Sequence, residues 1–298
     1  MKFLYHSIIA LQILFCAVYA GSATAQSDDM RIISLSPQLT RICADIGLRD
    51  NIIALTDDCA LSRYDNQITK IGTPHDIKID LILDMNPQLI LAEKSSNRSA
   101  QLDLLRDAKL NVAVIKCSSY EELYPAIRAV GNLTEKQQEA NRLIEKLKKR
   151  INDIQNIIRD EPSPRVLLLF GTDTLKTCKT GSLADTLITM AGGINVAVQP
   201  DNNATSSPDL KTLLRQNPQI IFEARTIDYN KIDPLGDIYA RWAKWPSVEA
   251  VKNRRIYVIP PEPLTVPGPQ LVSGLEIICA AMYPHKSGEI LQKQSKNK

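Results

Sequence analysis

Few side chains in this sequence have the types and spacing for chemistry. Asp57 and Asp58 are adjacent carboxylates, and His75 follows Pro74 in a polar stretch. Paired acids and an imidazole suit proton transfer, and an imidazole also suits axial ligation of a bound metal complex. Adjacent positions need not aim at one point, and Asp favours turns, so the acid pair reads first as a solvated loop. His75 stays open as a base, a metal contact or a loop residue. Metal chemistry is limited further. A catalytic zinc site commonly takes three protein ligands, often His. Of the 3 histidines, His6 falls in a leader, leaving His75 and His285. None of the 6 cysteines forms C-x-x-C, which argues against a redox motif or zinc ribbon. The nucleophile elbow, the phosphate loop and the dinucleotide fingerprint are absent. These counts predict no catalytic residue, no metal site, no cofactor and no enzyme.

The elements around these residues suggest capture of a ligand instead. The chain has 298 residues, 44% hydrophobic and 23% charged, a soluble globular balance. Lys+Arg is 36 against Asp+Glu 33, a net charge of +3, which gives no case for nucleic acid. Residues 1–25 read as a secretory signal: Lys2, an apolar run over Ser7–Ala20, then Ala23-Thr24-Ala25 before the cut. Cleavage there places the protein in the periplasm. It leaves Cys43, Cys59, Cys117, Cys178 and Cys279, an odd number. Export permits disulfides, with Cys43–Cys59 the nearest pair, and buried thiols are an equal alternative.

The rest of the chain contains itself twice. Arg31–Leu35 and Arg165–Phe170 are apolar β-type runs, each opened by arginine. Asn86-Pro87-Gln88-Leu89-Ile90-Leu91 returns as Asn217-Pro218-Gln219-Ile220-Ile221-Phe222 at nearly the same offset. Asn111–Ile115 returns as Arg255–Ile259. Continuous apolar runs alternating with helical stretches predict parallel strands buried on both faces. Strands are expected near 31–35, 52–55, 89–92, 112–115, 165–170, 220–224 and 256–259. Between the copies, Thr134 with Gln137 reads as a capping box. Leu143, Ile144, Leu147, Ile151 and Ile154 follow at helical steps, and Pro162 and Pro164 stop the run. A helix over 134–159 would be about 39 Å long, a stiff strut. The expected segments are a signal at 1–25, a lobe at 26–130, an interdomain helix at 131–163 and a lobe at 164–298.

In open α/β sheets, ligands bind beyond the carboxyl ends of the strands. The residues there are Ser36, Pro37, Gln38, Asp58, Tyr64, His75 and Lys94 in the first lobe. In the second they are Gly171, Arg225, Tyr229, Trp245 and Glu262. Trp242 and Trp245 read equally as stacking surfaces or as core.

Read in order, RIISLSPQLTRICADIGLRDNIIALTDDC, KIGTPHDIKIDLILDMNPQLILAE, MAGGINVA, WPSVEAVKNRRIYVIPPEP and PGPQLVSGLEIICAAMYP carry a resemblance over most of 31–283. The chain resembles the substrate-binding proteins of ABC importers, in the class with one long interdomain helix. The resemblance implies an α/β fold of two Rossmann-like lobes with mainly parallel sheets, joined by that helix, with a ligand cleft between them. It implies capture of a corrinoid such as vitamin B12 first, a ferric siderophore or haem second, and delivery to an inner-membrane ABC permease. Haem would draw on His75 or Tyr64, with Arg225 and Lys94 meeting carboxylates. The family carries a permease-docking acid on each lobe. The matching positions are Asp80 and Lys211. Lys211 reverses the charge, and Asp209 is the neighbouring acid. The competing class is a secreted two-lobe enzyme using Asp57, Asp58 or His75.

Overall fold

Both copies of the repeat build the same clasp. In the computed structural model, which describes residues 30–59, 68–171, 176–197, 209–226 and 236–292, Gln88 Oε1 accepts from Arg31 N at 2.7 Å. Gln219 Oε1 accepts from Arg165 N at 3.0 Å. The arginine side chains then hold the turn before each proline. Arg31 donates to Met85 O at 2.7 Å, and Arg165 donates to Gln216 O and Asn217 O at 3.1 and 3.0 Å. Asn86 and Asn217 adopt φ of 44° and 48°, a left-handed conformation that asparagine tolerates better than most residues. The repeated Asn-Pro-Gln therefore ends a helix and registers the next strand.

The first lobe runs β1 (Ile32–Ser34), α1 (Pro37–Asp45), β2 (Ile52–Leu55), β3 (Thr69–Lys70), β4 (Gly72–Thr73), β5 (Asp76–Ile77), α2 (Ile79–Asp84), β6 (Leu89–Glu93), α3 (Ser99–Asp107), β7 (Val112–Ile115) and α4 (Tyr120–Leu133). Its sheet has the order β3-β2-β1-β6-β7 and is parallel throughout, with β4 and β5 forming a separate hairpin. Then comes α5 (Gln137–Ile157). The second lobe runs β8 (Arg165–Phe170), β9 (Lys176–Thr177), α6 (Leu183–Met190), β10 (Ile194–Asn195), α7 (Leu210–Arg215), β11 (Ile220–Ala224), α8 (Gly236–Trp242), α9 (Glu249–Lys252), β12 (Ile256–Ile259), α10 (Glu262–Thr265), α11 (Leu271–Met282), a 3₁₀ turn at Pro284–Lys286 and α12 (Ser287–Gln292). Its sheet has the parallel order β10-β8-β11-β12, with β9 antiparallel on β8.

Strand alternation sorts the core. Ile32, Leu89 and Leu91 face one way, and Ile33, Ile90 and Ala92 face the other with Ile82 and Leu105. In the second lobe, Val166, Leu168, Ile220 and Phe222 belong to the same cluster as Ile32. Leu167, Leu169 and Ile221 lie in an outer cluster with Trp242. The stripe Ala140, Ile144, Leu147, Ile151 and Ile154 of α5 sits in the shared cluster. The strut thus joins both lobes through one continuous apolar core. Each of its isoleucine and leucine side chains contributes about 1.5–3 kcal/mol on burial. At Gly131 a Cβ would stand 2.5 Å from Ala140 Cβ, so the tight α4–α5 crossing needs glycine there.

Two expectations change. Thr134 does not open the strut. Its hydroxyl donates back to Val130 O at 2.8 Å and closes α4, while α5 starts beyond Lys136 without a side-chain cap. The strut has 21 residues, about 32 Å. The disulfide alternative also falls: Cys43, Cys59, Cys117, Cys178 and Cys279 are all buried free thiols. Burial pushes Cys43, Cys117, Cys178 and Cys279 up from 9.0 to about 12. An unfolded thiol ionises first, so the stability these groups contribute is present below pH 9 and lost between pH 9 and 12. The native protein is expected to resist a thiol reagent at pH 8 and to react fully in denaturant. Fast native labelling would show these sites to be open. The signal at 1–25 lies outside the described residues.

Candidate functional site

At the top of the first sheet the loops are tied to one another. Glu93, 1% exposed, ends β6. Its Oε2 accepts from the N–H and hydroxyl of Ser95 (2.8 and 2.6 Å) and of Ser96 (2.9 and 3.0 Å). Its Oε1 accepts from Cys117 N at 3.3 Å. Asn97 accepts from Glu93 N at 2.9 Å and donates to Leu35 O and Pro74 O at 3.2 and 3.0 Å. The two side chains fasten the ends of β1, β6 and β7 and the β4–β5 turn. Strand-end reasoning reaches Glu93 only as the residue before Lys94, not as a ligand contact, and does not reach Asn97. The only signal for them is the polar run Glu93-Lys94-Ser95-Ser96-Asn97 after a buried strand.

His75 lies exposed in the turn between β4 and β5. Gly72 has φ 93°, and a Cβ there would meet Asp76 O at 2.4 Å, so the hairpin depends on that glycine. Ser36 is buried and caps α1, accepting from Leu39 N at 3.4 Å and donating to Gln38 Oε1 at 2.7 Å. Pro37 opens that helix, and Pro37 and Gln38 are half-buried. Asp57 and Asp58 are exposed, and Thr56 Oγ1 donates to Asp58 at 2.7 Å. Lys94 is exposed beside Glu93. Tyr64 and Tyr229 lie outside the described residues.

In the second lobe, Glu223 is fully buried in β11. It accepts from Trp242 Nε1 at 2.8 Å, Arg225 Nε at 3.0 Å and Arg241 Nη1 at 3.3 Å. Arg225 therefore leaves the strand end already anchored, and its Nη2 is buried without a hydrogen-bond partner among the described residues. Trp245 is half-buried, 5.3 Å from Trp242 between ring centroids, with Lys244 Nζ 4.4 Å from its own. Its ring packs on the outer cluster. Gly171 is exposed with φ 88°, and Glu262 is exposed at the start of α10.

The lobes meet where Cys117 Sγ approaches Pro267 O at 3.5 Å. Just beyond, Gln270 is 9% exposed. Its Nε2 donates to Val266 O at 3.2 Å, and its Oε1 is buried without a partner among the described residues. Gln270 is not among the strand-end candidates of the sequence, since it opens a helix rather than following a strand.

Two lobes of strand-end loops, joined by one strut, make a capture architecture, and the family comparison agrees. The sequence profile of the periplasmic binding proteins matches residues 32–263. The chain belongs to the periplasmic binding protein family. Among family relatives, an ABC-transporter substrate-binding lipoprotein of Bacillus subtilis is 23% identical over 88% of this chain and 82% of its own length. The vitamin B12-binding protein of Vibrio cholerae is 21% identical over 89% of this chain and 91% of its own. The solved periplasmic heme-binding protein of Vibrio cholerae superposes with a TM-score of 0.74 at 20% identity, covering 86% of this chain and 100% of that one. These matches bear out the two-lobe α/β fold and the binding-protein class.

Proposed function

We propose that the protein is the exported solute-binding component of an ABC importer, capturing a corrinoid and handing it to a membrane permease. The observation that carries the ligand class is the pair of unpaired polar atoms in the second lobe. Among the described residues, Gln270 Oε1 lacks a donor and Arg225 Nη2 lacks an acceptor. A buried polar group left unpaired costs about 1–3 kcal/mol. A ligand rimmed with primary amides supplies both partners. A porphyrin carboxylate supplies only an acceptor. The named B12-binding relative supports the same reading.

A second reading, haem, is favoured by one feature. His75 stands exposed on a hairpin braced through Pro74 O by Asn97, a placement suited to axial ligation. The enzyme reading has no such support, since Asp57 and Asp58 are exposed turn residues.

Calorimetric titration of residues 26–298 with cyanocobalamin, cobinamide, haemin and a ferric hydroxamate separates these. Saturable one-to-one heat is expected with the corrinoids, and Gln270→Leu is expected to weaken it about tenfold, the loss of one buried hydrogen bond. Binding of haemin alone, with a Soret shift lost in His75→Ala, would replace the corrinoid reading by the haem one.

A further inference from the structure

Gln270 does not set the aim of its own carbonyl. Its side chain lies folded over Gly268: a Cβ on that glycine would stand 2.4 Å from Gln270 Oε1 and 2.9 Å from its Nε2. The amide is tied on one side, where Nε2 donates to Val266 O at 3.2 Å. The carbonyl therefore points where the Pro267-Gly268-Pro269 turn directs it. That turn is buried, and its two prolines have no N–H with which to fasten it. The tether comes from the other lobe. Cys117 Sγ donates to Pro267 O at 3.5 Å, and Pro267 O accepts no other hydrogen bond among the described residues. Cys117 is itself fixed, fully buried with its N–H on Glu93 Oε1 at 3.3 Å. Burial, with the Glu93 carboxylate beside it, pushes the thiol up to about 12, so it keeps its proton at neutral pH and serves as a donor. Glu93 also takes the N–H groups of Ser95 and Ser96. One chain of contacts thus runs from the loops above the first sheet, through Cys117, to the turn that carries Gln270.

Resting on the corrinoid reading above, we propose that Cys117 is a positioning residue for capture: from the first lobe it holds the turn that aims the Gln270 carbonyl of the second lobe at an amide donor of the ligand. The thiol acts through Gln270 and needs no contact with the ligand. Gly268 is the other half of the device. A side chain there meets the free end of Gln270 before any backbone, so it turns the amide aside and leaves the fold in place.

The test is a set of double-variant cycles on protein expressed from the full chain, read by cyanocobalamin titration and by denaturant unfolding. Cys117→Ala is expected to weaken binding about fivefold and Gly268→Ala about tenfold, the scale of one buried hydrogen bond lost or misdirected. Cys117→Ser keeps a donor and is expected to restore most of the affinity. Combined with Gln270→Ala, neither Cys117→Ala nor Gly268→Ala is expected to weaken binding further, because the group they aim is gone. Residues that only support the fold would cost the same factor in both backgrounds. If the cavity in Cys117→Ala prevents folding, Cys117→Val fills it without a donor and takes its place in the cycle. Equal losses with and without Gln270, or parental affinity in Cys117→Ala, would overturn the positioning role and leave the corrinoid reading standing. A parent protein that binds no cyanocobalamin would remove that reading and this proposal with it.

Discussion

Replacing Glu223 by alanine is expected to destabilise the protein by about 3–5 kcal/mol, the scale for breaking a buried ion pair from one side. The carboxylate is fully buried and neutralises Arg225, whose side chain is 13% exposed, and Arg241. Its loss leaves two cations in a low-dielectric site and orphans the indole N–H of Trp242. The cost is dominated by what remains rather than by what is removed. Glu223→Gln keeps an acceptor for Trp242 and loses the charge, so a smaller loss is expected. The chain has 2 tryptophans, in tilted contact with each other, so fluorescence reports the site directly. Denaturant unfolding of the three proteins decides the matter. An alanine variant within about 0.5 kcal/mol of the parent would show that the two arginines rehydrate freely. Release of Arg225 also predicts weaker ligand capture in Glu223→Gln at unchanged fold.

The second large effect is expected at the strut. Arg150 of α5 pairs with Glu276 of α11 at 2.6 Å, with side-chain exposures of 11% and 3%. It also donates to Ile290 O. One guanidinium thus fastens the strut to both α11 and α12. Arg150→Ala is expected to cost about 3–5 kcal/mol by taking the close cationic partner from the buried Glu276 carboxylate. Arg150→Met/Glu276→Met removes both charges at similar volume and is expected to recover most of that loss, since an apolar pair pays no desolvation. A double variant as unstable as the single one would mean that the bond to Ile290 O, and not the ion pair, holds the C-terminal helices.

Much of the architecture is legible in the residues. The runs at 165–170, 220–224 and 256–259 are strands at those same positions, because a strand buried on both faces must be apolar throughout. The Asn-Pro-Gln repeat marks equivalent positions because its glutamine performs one backbone task twice. Two-residue strands such as β3, β9 and β10 are not legible, since two residues carry no periodicity. Thr134 misled because a threonine hydroxyl can close one helix as well as open the next, and only the path of the chain chooses between the two. Candidate site residues were legible as positions, the strand ends, and not as roles. Ser36 sits at the expected place, yet its hydroxyl is spent on a cap.

Sequence by itself determined the longer strands and helices, the duplication and the strand ends at which a ligand can be met. These rest on local propensity and on periodic burial, which neighbours along the chain already encode. Tertiary structure alone decided that Glu93 and Asn97 tie four loops, that Glu223 anchors Arg225 and Arg241, and that the Gln270 carbonyl finds no partner among the described residues. Those are contacts between residues distant in sequence, where burial turns each polar atom into a demand for a partner that only the folded chain can meet or leave open.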